Sequence, residues 1–86
     1  MIYKVFEIDV YFSTYGMENV LVGAIDEEDL KKNITQKILG AEDEFYPPIS
    51  DKEFIEKLEE EERIKEVPHL FTDEPYKVIE RYFYAE

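Results

Sequence analysis

Residues 2–12 read IYKVFEIDVYF, and their alternation decides what kind of fold the chain can adopt. Every second residue from position 6 is a bulky apolar side chain, and polar or tyrosine side chains stand between them. A period of two is typical of a β-strand that has one face against a core. The stretch therefore predicts a first strand, and the residues predicted to face inward are Phe6, Ile8, Val10 and Phe12.

A second apolar run follows after a polar turn. Residues 13–19 read STYGMEN and residues 20–25 read VLVGAI, so we predict a hairpin of two strands. The outward face of this hairpin mixes tyrosines and aliphatic residues with carboxylates, which is typical of a contact surface. Its predicted members are Tyr3, Val5, Glu7, Asp9 and Tyr11, joined by Leu21 and Ile25.

Two helices are predicted from their N-terminal capping residues. Asp26 with Asp29, and Ser50 with Glu53, have the spacing of capping boxes, and Gly40 marks the end of the first helix. Each helix then has one apolar stripe at helical spacing. The predicted inward residues are Leu30, Ile34 and Ile38 in the first helix and Phe54, Ile55 and Leu58 in the second.

Three later segments carry the remaining structural information. Residues 41–49, AEDEFYPPI, predict an extended acidic loop, because Pro47 and Pro48 exclude a helix. Residues 57–66, KLEEEERIKE, leave two alternatives: a charged helical projection beyond the core, or a helix that ends near Arg63 before an extended segment. Residues 76–84, YKVIERYFY, favour a third strand, with a helix as the alternative.

The predicted fold is an α+β two-layer ββααβ sandwich, a three-stranded sheet with two helices on one face.

Composition limits the functional classes. The 86 residues predict one domain, 1–86, and 22 acidic against 10 basic residues give a net charge of −12. Such a charge repels nucleic acid and anionic lipid and attracts basic protein surfaces. The chain has no cysteine, no signal-peptide pattern and no apolar stretch long enough to span a membrane, so we expect a cytoplasmic protein.

Catalysis and metal binding have weak support. Carboxylates are abundant, but a catalytic pair needs an apolar pocket that raises one pKa, and a chain of this length leaves little room for one. His69 is the sole histidine, and no glycine-rich phosphate loop is present. We therefore expect no enzyme, no cofactor and no metal, and a small carboxylate-dependent enzyme is the last of three hypotheses.

The run Glu59 to Glu62 has an ordinary explanation as a solvated helix face with i,i+4 ion pairs. Acidic clusters at residues 26–29 and 42–44 nevertheless exceed what two helices require. In its small size, acidity, aromatic content and lack of cysteine the chain resembles the anti-restriction and anti-CRISPR inhibitors of phages and mobile elements. This resemblance rests on composition and on no motif, so it implies a DNA-mimicking inhibitor without assigning any residue.

The favoured hypothesis is a non-enzymatic acidic module that binds a basic protein, including one that itself binds nucleic acid. The predicted contact residues are Glu42, Asp43, Glu44, Phe45 and Tyr46 in the loop and Glu59, Glu60, Glu61 and Glu62 in the glutamate run. The alternative is a self-associating structural or regulatory protein, such as a homodimer, that uses the outward sheet face. Its predicted interface residues are Tyr3, Val5, Tyr11, Leu21 and Ile25.

Overall fold

The computed structural model describes residues 1–12 and 16–85, and the elements of this part of the chain confirm the α+β class. They are β1 (Tyr3–Asp9), β2 (Gly16–Ala24), α1 (Glu27–Asn33), α2 (Gln36–Leu39), α3 (Asp51–Glu60), β3 (Ile64–Thr72) and β4 (Val78–Ala85). The strands form one antiparallel sheet in the order β3-β1-β2-β4. The predicted ββααβ arrangement is therefore wrong in detail, because the sheet has four strands and three helices accompany it. The predicted turn covered residues 13–19: residues 13–15 lie outside the described residues, and residues 16–19 belong to β2, which begins four residues earlier than predicted.

The strand that sequence reasoning missed is β3. It contains Pro68, which lacks an N–H group, and the register with β1 jumps from Val67 to Phe71. A sheet edge tolerates both features because one side of an edge strand makes no ladder hydrogen bonds. α3 ends at Glu60, so the charged helical projection is wrong and the extended alternative after Arg63 is confirmed.

The first predicted helix is divided into α1 and α2. Ile34 is extended, and the hydroxyl of Thr35 accepts a hydrogen bond from the Ile38 N–H at 3.1 Å, which starts a new helix. The predicted caps are confirmed: Asp26 accepts the Asp29 N–H at 2.8 Å, and Gly40 ends α2 at φ 68°. Thr35 supplies a cap of its own, and this local competition breaks the helix.

The core lies between the helices and one face of the sheet. Phe6, Ile8 and Val10 are buried there as predicted, while Phe12 packs against the core and is partly buried. The helices contribute mainly bulky aliphatic and phenylalanine side chains, which are Leu30, Ile34, Leu39, Phe54, Ile55 and Leu58. Burial of these apolar side chains is the main force that holds the helices to the sheet.

The C-terminal segment forms a strand, as favoured, and its position changes the environment of the hairpin. β1 and β2 are the two central strands, because β3 and β4 flank them. Val5 and Leu21 on the face opposite the helices are therefore only 2% and 4% exposed. The three-stranded prediction left this face more open than it is.

A short connection carries the chain from one edge of the sheet to the other. Residues 73–77 cross three strand spacings, about 14 Å, which five extended residues can reach. The connection passes over the end of β2, where the Tyr76 N–H donates to the Gly23 carbonyl at 2.9 Å. A Cβ atom at Gly23 would overlap Thr72 Cγ2 and lie 3.2 Å from the Glu74 carbonyl oxygen. Glycine at this position therefore leaves room for the Thr72 side chain, which a Cβ atom would displace.

Candidate protein-binding surface

The acidic loop, residues 41–49, is attached to the core through Phe45. The Phe45 ring centroid lies 4.9 Å from that of Phe12 and 6.1 Å from that of Phe54, both in tilted or edge geometries. The Lys57 ammonium lies 5.6 Å from the Phe45 ring centroid. Aromatic packing of this kind fixes the loop against the start of α3. The next residue, Tyr46, is 99% exposed.

Two of the three loop carboxylates face solvent, and the third is partly buried. Glu42 and Asp43 are exposed, and no ion pair joins either of them to another described residue. Burial raises the pKa of Glu44 above its ordinary value, and the nearby Asp9 carboxylate acts in the same direction. The loop therefore carries two negative charges outside the described ion pairs and an exposed tyrosine.

An open groove runs along the base of the loop. Its lining includes Glu42, Asp43 and Asp51, together with the single basic side chain of Lys37. Asp51 is held in place because it accepts the Gln36 backbone N–H at 2.9 Å. The groove lining therefore holds three carboxylates and one ammonium group. Glu44 does not line it, so the carboxyl of raised pKa and the groove are separate.

The glutamate run is divided by the end of α3. Glu59 is 3.3 Å from the Lys31 ammonium, and Glu61 is 2.9 Å from the Arg63 guanidinium. Glu60 and Glu62 are exposed and make no ion pair with the described residues. Two of the four glutamates are therefore neutralised locally, and the other two remain as free surface charge.

Arg63 connects the two predicted contact regions. Its guanidinium lies 4.0 Å from the Phe12 ring centroid, and the same ring packs against Phe45 in the loop. It also pairs with Asp9 at 2.8 Å and donates to the Tyr11 carbonyl oxygen at 3.0 Å. The acidic loop and the end of α3 consequently lie on neighbouring parts of one surface. Sequence reasoning missed this role, because Asp9, Tyr11 and Phe12 are distant from Arg63 in the chain and no local pattern marks them.

The acidic cluster at residues 26–29 serves the fold. Asp29 accepts the Tyr76 hydroxyl at 2.6 Å and the Ile25 N–H at 2.9 Å, and these bonds lower the pKa of Asp29. The same hydrogen bond from the hydroxyl raises the pKa of Tyr76 to about 12. Lys31 pairs with Glu28 at 3.0 Å, which raises the pKa of Lys31. These acids stabilise α1 and its contact with the residue 73–77 connection.

The residues predicted for self-association occupy different environments. Val5 and Leu21 are buried, and Tyr3 packs beside Tyr76 with ring centroids 6.3 Å apart. Tyr11 is partly exposed just beyond β1, and Ile25 is 53% exposed beyond the end of β2. The structure does not bring these side chains together into one exposed apolar patch.

The surplus of negative charge persists after folding. The eight acidic residues in the described ion pairs are Asp9, Glu18, Glu27, Glu28, Glu59, Glu61, Glu66 and Glu74.

Within residues 1–12 and 16–85, no group of three or more potential ligands is arranged to hold a metal ion. None of the helices in this part of the chain combines the length and hydropathy of a membrane span.

In comparisons with known proteins, no family model, no curated protein and no solved structure matches the chain.

Proposed function

We propose that the protein is a non-enzymatic module that binds a basic surface on another protein through the acidic loop and the end of α3. The observation that carries this proposal is Tyr46, whose side chain is 99% exposed directly after the anchored Phe45. Exposing an aromatic ring to water is unfavourable, and tyrosine is one of the residue types that dominate binding energies at interfaces.

The surroundings of Tyr46 define the chemistry of its partner. Glu42 and Asp43 are negatively charged and free of described ion pairs, and the adjoining groove adds Asp51. Lysine or arginine side chains on a partner would therefore meet these carboxylates when Tyr46 docks. Because Phe45 already fixes the loop, less conformational entropy is lost on binding than for a mobile loop.

Binding is expected in two steps. The net charge of −12 attracts a basic partner over a distance of about one Debye length, ~10 Å at 0.1 M salt. Tyr46 then docks and excludes water, while Glu60 and Glu62 supply charge at the margin. Association should therefore weaken as salt rises, mainly through a slower association rate.

A narrower form of the proposal concerns the identity of the basic site. Where that site normally binds DNA or RNA, the domain acts as a nucleic-acid mimic, in the manner of phage and mobile-element inhibitors. The support is the electronegative surface of free carboxylates described above together with its aromatic anchor. Competition decides this form: nucleic acid should displace the protein from its partner, and simultaneous binding of both would refute the mimic.

The broader proposal can be tested by affinity capture of partners at low salt and elution at raised salt. Tyr46→Ala and the double variant Glu42→Gln with Asp43→Asn should both lose the captured partner. The matched control is Asp73→Asn with Glu80→Gln, which removes the same two charges from the residue 73–77 connection and from β4. Equal retention by all three variants, or capture indifferent to salt, would refute the proposed surface.

A further inference from the structure

The two edges of the sheet differ in their protection against added strands. β3 contains Pro68, and its register with β1 jumps between Val67 and Phe71. These features interrupt the outer edge of β3 and discourage further pairing. β4 has neither proline nor lysine, and within the described sheet it pairs only with β2. Its one register shift lies near its start, beside Val78.

The register identifies the backbone groups that β4 leaves unpaired. The Val10 N–H donates to the Glu18 carbonyl, so the backbone groups of even-numbered residues in β2 point towards β1. Odd-numbered residues of β2 therefore hydrogen-bond to β4, and Asn19 pairs with Tyr82. The N–H and C=O groups of Tyr82 point inward, whereas those of Arg81 and Phe83 point away from the sheet.

We propose that two copies of the chain associate by antiparallel pairing of β4 with β4 of the second copy, around a twofold axis at Tyr82. The charges on the strand exclude two of the alternative registers. Centring the axis on Arg81 places two arginines directly opposite each other, and centring it on Glu80 does the same for two glutamates; both are unfavourable. Centring it on Tyr82 places Arg81 opposite Phe83 of the second copy.

Side chains on the helix side of the sheet support the same register. Phe83 is 73% exposed, and it shares this side with Arg81 because the two are paired with Glu18 and Val20. Arg81 is held by Glu18 and donates to the Leu39 carbonyl oxygen at 2.7 Å. In the dimer, the Phe83 ring of the second copy covers the exposed part of this fixed guanidinium, a cation–π contact made twice by symmetry. A Phe83-centred axis also avoids like charges but makes no such contact.

The dimer is independent of the proposed binding to a basic protein, and salt separates the two. Each copy carries a net charge of −12, so two copies repel each other at low salt. Raising the salt concentration should strengthen the dimer, whereas it should weaken binding to a basic partner. Because salt changes the two associations in opposite directions, the dimer can be refuted while the binding to a basic protein stands, and the reverse.

Sedimentation velocity of the unmodified protein over a range of concentrations and salt provides the first test. We expect a reversible species of twice the 10.3 kDa chain mass, more populated at higher salt. Phe83→Pro removes an outward N–H group and should weaken the dimer at least about fivefold, because two hydrogen bonds are lost by symmetry. Phe83→Ala is the matched control: it loses the ring but keeps the N–H group, so its defect should be smaller.

Cross-linking tests the register. The chain has no cysteine, so Tyr82→Cys introduces a single thiol at the axis, at a non-hydrogen-bonded pair with Cα atoms about 4.5 Å apart. Oxidation should yield a covalent dimer, whereas Glu80→Cys should not, since its symmetry mate is four strand positions away. A monomer at every protein and salt concentration would overturn the proposal. That result would hold even if the β4 edge accepted a strand from another protein instead. Cross-linking of Glu80→Cys in preference to Tyr82→Cys would overturn the register, whether or not Phe83→Pro folds.

Discussion

Replacing Gly23 by alanine tests how tightly the residue 73–77 connection crosses β2. The added methyl group overlaps Thr72 Cγ2, and Thr72 cannot easily turn away because its hydroxyl accepts the Glu74 N–H at 3.1 Å. Overpacking of this kind costs about 1–3 kcal/mol. Alanine is favoured over glycine within a strand by about 0.5–1 kcal/mol, so the net destabilisation should be about 0–2.5 kcal/mol, centred near 1 kcal/mol. A loss of about 1 kcal/mol lowers the Tm of a domain of this size by about 4–8 °C.

A second substitution makes the prediction specific. Thr72→Ser removes the overlapping methyl group and keeps the hydroxyl that binds the Glu74 N–H. In this background Gly23→Ala should be nearly neutral, because the remaining Glu74 oxygen, 3.2 Å away, needs only a small displacement. Urea unfolding followed by far-UV circular dichroism would give the four free energies of the cycle. A coupling energy close to zero would refute the assigned contact.

Four further substitutions test the contacts described above. Ser50→Ala should cost about 1 kcal/mol in urea unfolding, because the hydroxyl caps α3. Glu44→Gln should stabilise the protein at neutral pH, since burial raises the pKa of Glu44 in the folded chain; the gain should disappear below the unfolded value near 4.5, where wild-type Glu44 is also neutral. Tyr76→Phe should raise the pKa of Asp29 towards its ordinary 3.8, measured by carboxyl NMR titration, and an unchanged pKa would contradict the hydrogen bond. Arg63→Lys should lose about 1–3 kcal/mol despite retaining the charge, because lysine cannot keep all the guanidinium contacts at once.

The parts of the fold that sequence predicted are those determined by nearby residues. The caps at Asp26 and Ser50 and the αL position of Gly40 depend on residues a few positions away, and the structure contains all of them. The break before Thr35 was missed although its signal is local: a threonine three residues before Ile38 offers a competing cap. The apolar residues Leu30, Ile34 and Ile38 have helical spacing, and this spacing predicted one continuous helix across the break.

The missed strand, β3, could not be predicted from its own residues. Pro68 and the mixed charges of β3 contradict an ordinary strand pattern, and only the unpaired side of β1 explains why this segment extends along it. The surface shows the same limitation. That Phe45 is anchored while Tyr46 is exposed depends on where Phe12 and Phe54 lie, and alternation along the sequence does not contain that information.

The strand order also determines how the chain must fold. Within the sheet that the structure describes, both outer strands hydrogen-bond only to the central hairpin, and each joins it across a long separation in sequence. Among these described pairs, β1 with β2 is the one made from consecutive strands, so we expect this hairpin to form the nucleus. Substitutions in the hairpin should mainly slow refolding, and substitutions in β4 should mainly accelerate unfolding. Because most contacts join residues that are distant in sequence, we expect the domain to fold on a scale of about milliseconds to seconds.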